Sequence, residues 1–276
     1  MPSTMDLDKN DIPPSALYTA ATWRWGNVAG ADLVTPSNAG SIFRFVNACS
    51  SLYHVLNPGW HSLRHTLLHR HIGIDHLLRQ ANCPQVIEIA AGFSPRGSSW
   101  SSQSRVEYFE VDLPAVIAAK RRLLEGTLAG KKVLSRANFA LLEGDVCALK
   151  WTGFPARRSF VITEGLMMYF DRPAQMLIWK DIATFLRNNG GEYVFDYLPV
   201  PDEPSRSFAE RLLSRMRGSR RRTFPCDGRS RHEIAADLRE AGFTLVEMNS
   251  SVEFATAWNL PHAGVHTRVI LYRCLC

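Results

Sequence analysis

Lysine is scarce in this chain of 276 residues: six, against 26 arginines. Long apolar runs are missing too. No stretch approaches the roughly 18–20 apolar residues of a membrane-spanning helix, so no membrane partner is expected. The six cysteines form no Cys-x-x-Cys pair, only a Cys274-x-Cys276 step, and the nine histidines include no His-Glu-x-x-His motif. Zinc is therefore not expected, and the thiols read as reduced and structural. No Gly-x-Gly-x-x-Gly cluster follows any strand-like run, which argues against a dinucleotide pyrophosphate. Met1–Ser15 is polar, acidic and proline-containing, without the apolar core of a secretory signal, so the expected compartment is the cytoplasm.

What is present is enough apolar residue for a sizeable core: 46% of the chain, with 14 Phe and 7 Trp. That composition excludes general disorder, a fibre or a coiled coil. The net charge is +6 and almost all of the positive charge is arginine. A GC-rich coding sequence accounts for much of this. Guanidinium is also the better side chain for bidentate capture of carboxylate or phosphate.

Residues 1–16 read as a flexible tail and 17–81 as a helical N-terminal lobe, with apolar residues at helical spacing over Ser41–Leu56 and Ser62–Gln80. From residue 82 the pattern changes. Strand-like runs at Gln85–Ala90, Val106–Asp112, Phe139–Asp145, Ser159–Glu164 and Glu192–Tyr197 alternate with helical stretches at Leu113–Glu125 and Pro173–Arg187. Asn188–Gly191 is a helix stop. A Pro- and Arg-rich insertion fills about 198–231. A helix at Ser230–Ala241 and strands at Phe243–Met248 and Thr267–Arg273 complete the pattern, the last two read as a closing hairpin. Alternating strands and helices predict an α/β fold with a mostly parallel, Rossmann-like sheet of seven strands, one of them antiparallel, in a core spanning 82–276.

Ligands of such sheets bind beyond the carboxyl ends of the strands. The first strand ends in Glu88-Ile-Ala90-Ala-Gly92, where a glycine lets backbone approach a ligand or simply makes a turn. The second ends at Asp112, 20 positions after Gly92, with Leu113 next. That acid suits a ribose hydroxyl, or the cap of the next helix. The third ends in Asp145-Val146, an acid with an apolar neighbour that suits a base, or a turn. The fourth ends at Glu164, an acid that needs a cation if buried; Tyr169 lies five residues on. Together the tips describe a nucleoside cofactor without a pyrophosphate, which fits S-adenosyl-L-methionine.

The segments VIEIAAGFSPRG, YFEVDLPAVIAAKRRLL, EGDV and VITEGLMMYF, in this order, resemble the leucine carboxyl methyltransferase family, most of all its bacterial polyketide-biosynthesis O-methyltransferase branch. Arg70-His-Ile-Gly-Ile-Asp75 matches a further Arg-x-x-x-x-Asp of that family. The resemblance is good over about 17–200. It implies a class I methyltransferase fold and S-adenosyl-L-methionine as cofactor. Arg70 would pair with the methionine carboxylate. Glu88 and the Ala90–Gly92 backbone would line the methionine and ribose, Asp112 and Leu113 the ribose, and Asp145 and Val146 the adenine. Glu164 would lie near the ammonium and Tyr169 near the acceptor. The family's Gly-Ala-Gly-x-Asp is replaced here by Ala-Ala-Gly-Phe-Ser-Pro.

The expected reaction is O-methylation of a carboxylate or hydroxyl on a small acidic or phenolic metabolite, with a protein C-terminal carboxylate as the alternative. Tyr169 is the candidate catalytic residue. Arg220 and Arg221, in the Arg-rich segment 215–222, and His262, in the loop that also holds His266, are candidate substrate contacts. Each of these has an ordinary surface role as its competitor. Basic charge alone would also suit nucleic acid, but no RRM, KH or helix-turn-helix pattern accompanies it.

Overall fold

The computed structural model describes residues 12–56, 62–103, 105–197, 228–265 and 267–276. Residues 1–11 of the expected tail, most of the insertion, its Arg215–Arg222 cluster with Arg220 and Arg221, and His266 lie outside the described residues.

The sheet has seven strands: β1 (Gln85–Ile89), β2 (Glu107–Asp112), β3 (Phe139–Glu143), β4 (Ser159–Thr163), β5 (Gly191–Tyr197), β6 (Leu245–Ser250) and β7 (Ile270–Leu275), in the order β3-β2-β1-β4-β5-β7-β6. The first five are parallel, and β7 runs antiparallel to both β5 and β6. The chain reverses its direction of winding between β1 and β4. That switch point opens a crevice at the carboxyl ends of these two strands.

Alternation along the strands sorts the core into two faces. Ile87, Ile89, Val161, Tyr193 and Phe195 pack with α8 (Arg172–Asn189) and α9 (Arg231–Ala241). Val86, Tyr108, Phe160, Ile162 and Val194 pack on the other face, with α4 (Leu63–Ala81) and α6 (Pro114–Glu125). The N-terminal lobe consists of α1 (Pro14–Trp25), α2 (Ala31–Val34) and α3 (Ala39–Leu56), and its core combines Leu17 and Trp23 with Phe93 of the first loop.

Local sequence explains the clearest boundaries. Asp171 caps α8, accepting from the Ala174 amide, and Pro173 falls in the first turn. Ser230 and Glu233 form a reciprocal capping box on α9, and Gly242 ends it in the left-handed region.

The structure corrects three expectations. The helical lobe begins at Pro14, inside the expected tail. Two short helices, α5 (Arg96–Trp100) and α7 (Leu128–Leu134), occupy stretches to which the sequence pattern assigns no element. And β6 and β7 are not joined by a tight hairpin: α10 (Ser251–Ala257) lies between them. That helix is held by packing rather than propensity, because Phe254 is buried against α4 and stacks on Trp258 at 4.7 Å.

The docking of α4 decides which side chains reach the crevice. It enters β1 through a short turn and therefore runs antiparallel to it, which brings its first turns to the carboxyl edge of the sheet. Gly73 sets how closely it approaches. A Cβ there would stand 2.7 Å from Leu271 Cδ1 and 3.1 Å from Phe254 Cε2. We expect Gly73→Ala to cost about 1–3 kcal/mol through overpacking. A fall in the urea midpoint at unchanged slope would show this; an unshifted midpoint would refute it.

Candidate active site

The same alternation that builds the core also gathers acids. Glu88, Glu110, Asp112 and Asp196 share the strand parity of Tyr108 and Val194, and so face α4 and α6, near the carboxyl edge. Glu164, one residue beyond β4, joins them. All are buried or nearly so.

Arg96, at the start of α5, is the centre of the group, and its side chain is fully buried. Its Nε donates to Asp75 Oδ1 of α4 at 2.6 Å, its Nη1 to Glu88 Oε1, and its Nη2 to Glu164 Oε2 at 2.8 Å. Glu164 Oε2 also meets His71 Nδ1 at 3.0 Å. Its other oxygen accepts from Arg70 Nε at 2.9 Å. Arg70 Nη1 reaches Asp196 Oδ2 at 3.1 Å, leaving Nη2 with no partner among the described residues. The Arg70 and Asp75 of the sequence motif thus do not touch; Arg96 and Glu164 connect them.

Glu88 is fully engaged. Its second oxygen accepts from Tyr108 Oη at 2.7 Å. Beside it on β2, Glu110 pairs with Lys120 of α6, both side chains without exposure. Lys120 Nζ also donates to the Ser94 carbonyl at 2.6 Å, tying the first loop to α6. Asp112 takes the Gly92 amide on one oxygen at 2.6 Å and the Leu113 amide on the other at 2.7 Å. A ribose contact and a capping role are both compatible with this, since each carboxylate oxygen keeps a second lone pair.

Charges here shift as burial and neighbours dictate. Burial alone would raise the Glu164 carboxyl, but His71, Arg70 and Arg96 outweigh it and hold the group well below the usual range. For Asp112 and Asp196 burial wins and the carboxyls move up. Burial pushes Glu110 up to about 7 against the pull of Lys120.

The other expected residues among those described fall on the neighbouring strand tips and loops. Ala90, at φ 55°, and Gly92, at φ 52°, carry the first loop through two left-handed positions. Asp145 caps a short turn through the Cys147 amide at 3.0 Å, half-buried beside Val146 at the tip of β3. Tyr169 ends a single turn of 3₁₀ helix just past Glu164, also half-buried. His262 lies apart from the acids, stacked on Trp25 at 5.6 Å.

Sequence reasoning misses Arg96, His71, Lys120 and Asp196. Two of these leave a signal. Asp196 interrupts an apolar strand, and Lys120 shares a helical face with Val116, Ile117 and Leu124. A charge in either place requires a buried partner.

A seven-stranded sheet of this order, with a glycine loop after β1 and acids at the tips of β2 and β4, defines a class I methyltransferase fold. The leucine carboxyl methyltransferase family model matches residues 44–183, half of the chain, and the chain belongs to that family. A candidate S-adenosyl-L-methionine-dependent methyltransferase of Mycobacterium sp. (strain KMS) is 32% identical over 126 residues, 45% of this chain and 42% of the relative. Another, from Mycobacterium bovis (strain BCG / Pasteur 1173P2), is 27% identical over 213 residues, 71% of this chain and 67% of the relative. The match to the Mycobacterium sp. relative thus spans less than half of that protein's length. Among solved structures, a candidate O-methyltransferase of Nostoc punctiforme aligns with a TM-score of 0.54 at 14% identity, over 96% of this chain and 69% of that one. The magnesium protoporphyrin IX methyltransferase of Synechocystis, solved with bound S-adenosylhomocysteine, aligns with a TM-score of 0.50 at 11% identity, over 83% and 94%. At such identities these two likenesses establish the fold.

The ion-pair group can be probed from both sides. Arg96→Met leaves Asp75, Glu88 and Glu164 without their shared cation and should cost about 3–5 kcal/mol, read as a lower melting temperature at pH 7. Glu164 titrates below its unfolded value. Its stabilisation is therefore present at neutral pH and lost as pH falls below about 4.5 toward the folded value. Denaturation between pH 7 and pH 3 should show Glu164→Gln less stable than the native chain at pH 7, with a shallower acid limb. Parallel acid limbs would contradict this.

Proposed function

We propose that the chain is an S-adenosyl-L-methionine-dependent O-methyltransferase acting on a carboxylate or hydroxyl of a small metabolite. The observation that carries the reading is the imbalance of charge at the switch point. Five carboxylates (Asp75, Glu88, Asp112, Glu164 and Asp196) meet two fixed cations, Arg70 and Arg96, and the imidazole of His71, with Glu110 and Lys120 paired beside them. A crevice lined by buried acids favours a cationic ligand, and the sulfonium and ammonium of S-adenosyl-L-methionine are both cations.

The residues fit that cofactor. Apart from its two chain neighbours, no heavy atom of the described residues lies within 4 Å of where a Gly92 Cβ would stand, so on that side the first loop faces open space. Arg70 Nη2 is the donor left over for the methionine carboxylate. Asp112, anchored by two amides, would accept from the ribose hydroxyls, and Asp145 with Val146 would meet the adenine. When bound, the cofactor supplies a methyl group whose bond to sulfur breaks as the acceptor oxygen forms its own bond to carbon, the electron pair leaving with the sulfur. The chain's part is to orient the two and exclude water. A carboxylate acceptor needs no general base; a hydroxyl would surrender its proton, for which Tyr169 and His262 are the candidates named by the sequence.

Calorimetry with S-adenosylhomocysteine and S-adenosyl-L-methionine tests the reading. Binding in the micromolar range is expected, with Asp112→Ala and Arg70→Gln each weakening it about tenfold or more, one lost charge-assisted contact apiece. A folded protein that binds neither compound would sink the proposal.

A further inference from the structure

Outside the acid group, at the same edge of the sheet, lies a second cluster, separate from the residues assigned above to the cofactor. His65 stands on the first turn of α4 and His69 on the next; His262 lies in the loop between α10 and β7, and Trp25 ends α1. Because α4 runs antiparallel to β1, and β7 begins opposite Tyr197 at the end of β5, all of these elements meet beyond the strand tips. His69 immediately precedes Arg70, and His65 is about 7–8 Å from Arg70 along the helix axis.

The four rings have different roles. His69 is a clamp: both of its nitrogens are engaged, Nδ1 with Thr267 Oγ1 at 3.2 Å and Nε2 with the Pro261 carbonyl at 2.7 Å, which pins the loop onto α4. That clamp presents the neighbouring His262, whose backbone is held at φ 60°. A non-glycine residue there is strained, and the strain is maintained by its surroundings. His262 is exposed, and neither ring nitrogen bonds to a described residue. Its ring stacks on Trp25 at 16° between planes and meets His65 edge-on at 5.0 Å. The Arg64 guanidinium covers the Trp25 ring at 4.6 Å and pairs with no carboxylate among the described residues. His65 has one nitrogen on Ser62 Oγ at 2.7 Å, and its other nitrogen bonds to no described residue.

This rim has the opposite polarity to the crevice. Burial, then Arg64, His262 and His69, lower His65 to about 4, so it stays neutral in a positive field. A half-buried cation with no carboxylate among the described residues, next to imidazole nitrogens that can donate, is a receptor for an anion. The flat faces of Trp25 and His262 suit a planar group attached to it.

Resting on the methyltransferase reading, we propose that Arg64, His65, His262 and Trp25 form the acceptor subsite and that the acceptor is a small aromatic carboxylate. Its carboxylate lies against Arg64 and the imidazoles, and its ring against the indole–imidazole stack. The acid-rich crevice and the base-rich rim then sort the two reactants by charge, the cation inward and the anion outward. Transfer to the carboxylate converts an anion into a neutral ester with no proton to move, so the product loses the charge that held it.

The test is calorimetry with benzoate, cinnamate and 4-hydroxybenzoate, each set against its amide, with and without saturating S-adenosylhomocysteine. At least one carboxylate should bind about tenfold more tightly than its amide, and Arg64→Gln should remove that preference. His262→Asn, which keeps the left-handed backbone accessible while removing the ring, should weaken the carboxylate about fivefold or more and leave S-adenosylhomocysteine binding within about twofold. Three results would each overturn the proposal: no carboxylate binds, amides bind equally well, or both variants bind the carboxylate as the native chain does. Failure to bind S-adenosylhomocysteine refutes the methyltransferase reading separately, because the carboxylate comparison is also read without it.

Discussion

One guanidinium organises this protein. Arg96 has no exposed side-chain surface and holds three carboxylates, each from a different element: Asp75 from α4, Glu88 from β1 and Glu164 from the end of β4. Removing such a charge from water costs several kcal/mol, recovered only when the geometry satisfies all of its donors. Here Nε, Nη1 and Nη2 all find oxygen. The arrangement therefore forms only when α4 is docked, the first loop is turned under it, and β4 is in register with β1. Folding of the sheet and assembly of the site are the same event.

The dependence runs outward from there. Glu164 is fixed by Arg96 and His71, and in turn fixes Arg70. Arg70 is fixed again by Asp196, whose other oxygen takes the Gly165 amide at the β4 tip. Lys120 holds the back of the first loop through the Ser94 carbonyl, where the family pattern has an acid in place of Ser94. A loop that lacks that acid is steadied here by a lysine from α6. Side chains anchored at several points lose little further freedom on binding, which is how a crevice of mobile groups becomes a preorganised one.

The strands, the winding of the sheet and the acids at its tips are legible in the sequence because they obey local rules. A short apolar run marks Gln85–Ala90 and an alternation marks Val106–Asp112, glycine and proline mark the turns, and an acid at the end of a buried strand stands out. Glu164 in that position requires a cation, and it has two arginines and a histidine. What is not legible is which cation meets which acid. Arg96 lies 68 positions from Glu164 in the chain, and no spacing rule reaches that far. The helix α10 escapes sequence reasoning for a related reason: seven residues have little propensity of their own, and Phe254 finds its place only against α4.

The division of charge at the carboxyl edge comes from which strand parity faces which helix. Acids that share the parity of Val86 must point toward α4, so α4 must supply cations on the side that meets the sheet. Arg70 does so directly, and Asp75 does so by holding Arg96. The first turns of the same helix extend past the strand tips, where no strand acid can reach them. Arg64 and His65 are therefore left to face the loop and α1 instead of the sheet. Among the described residues, one helix thus carries compensated charge where it covers the sheet and uncompensated charge where it overhangs it. Under the proposed reading, that gradient would serve a reaction between a cation and an anion, each drawn to its own end of α4.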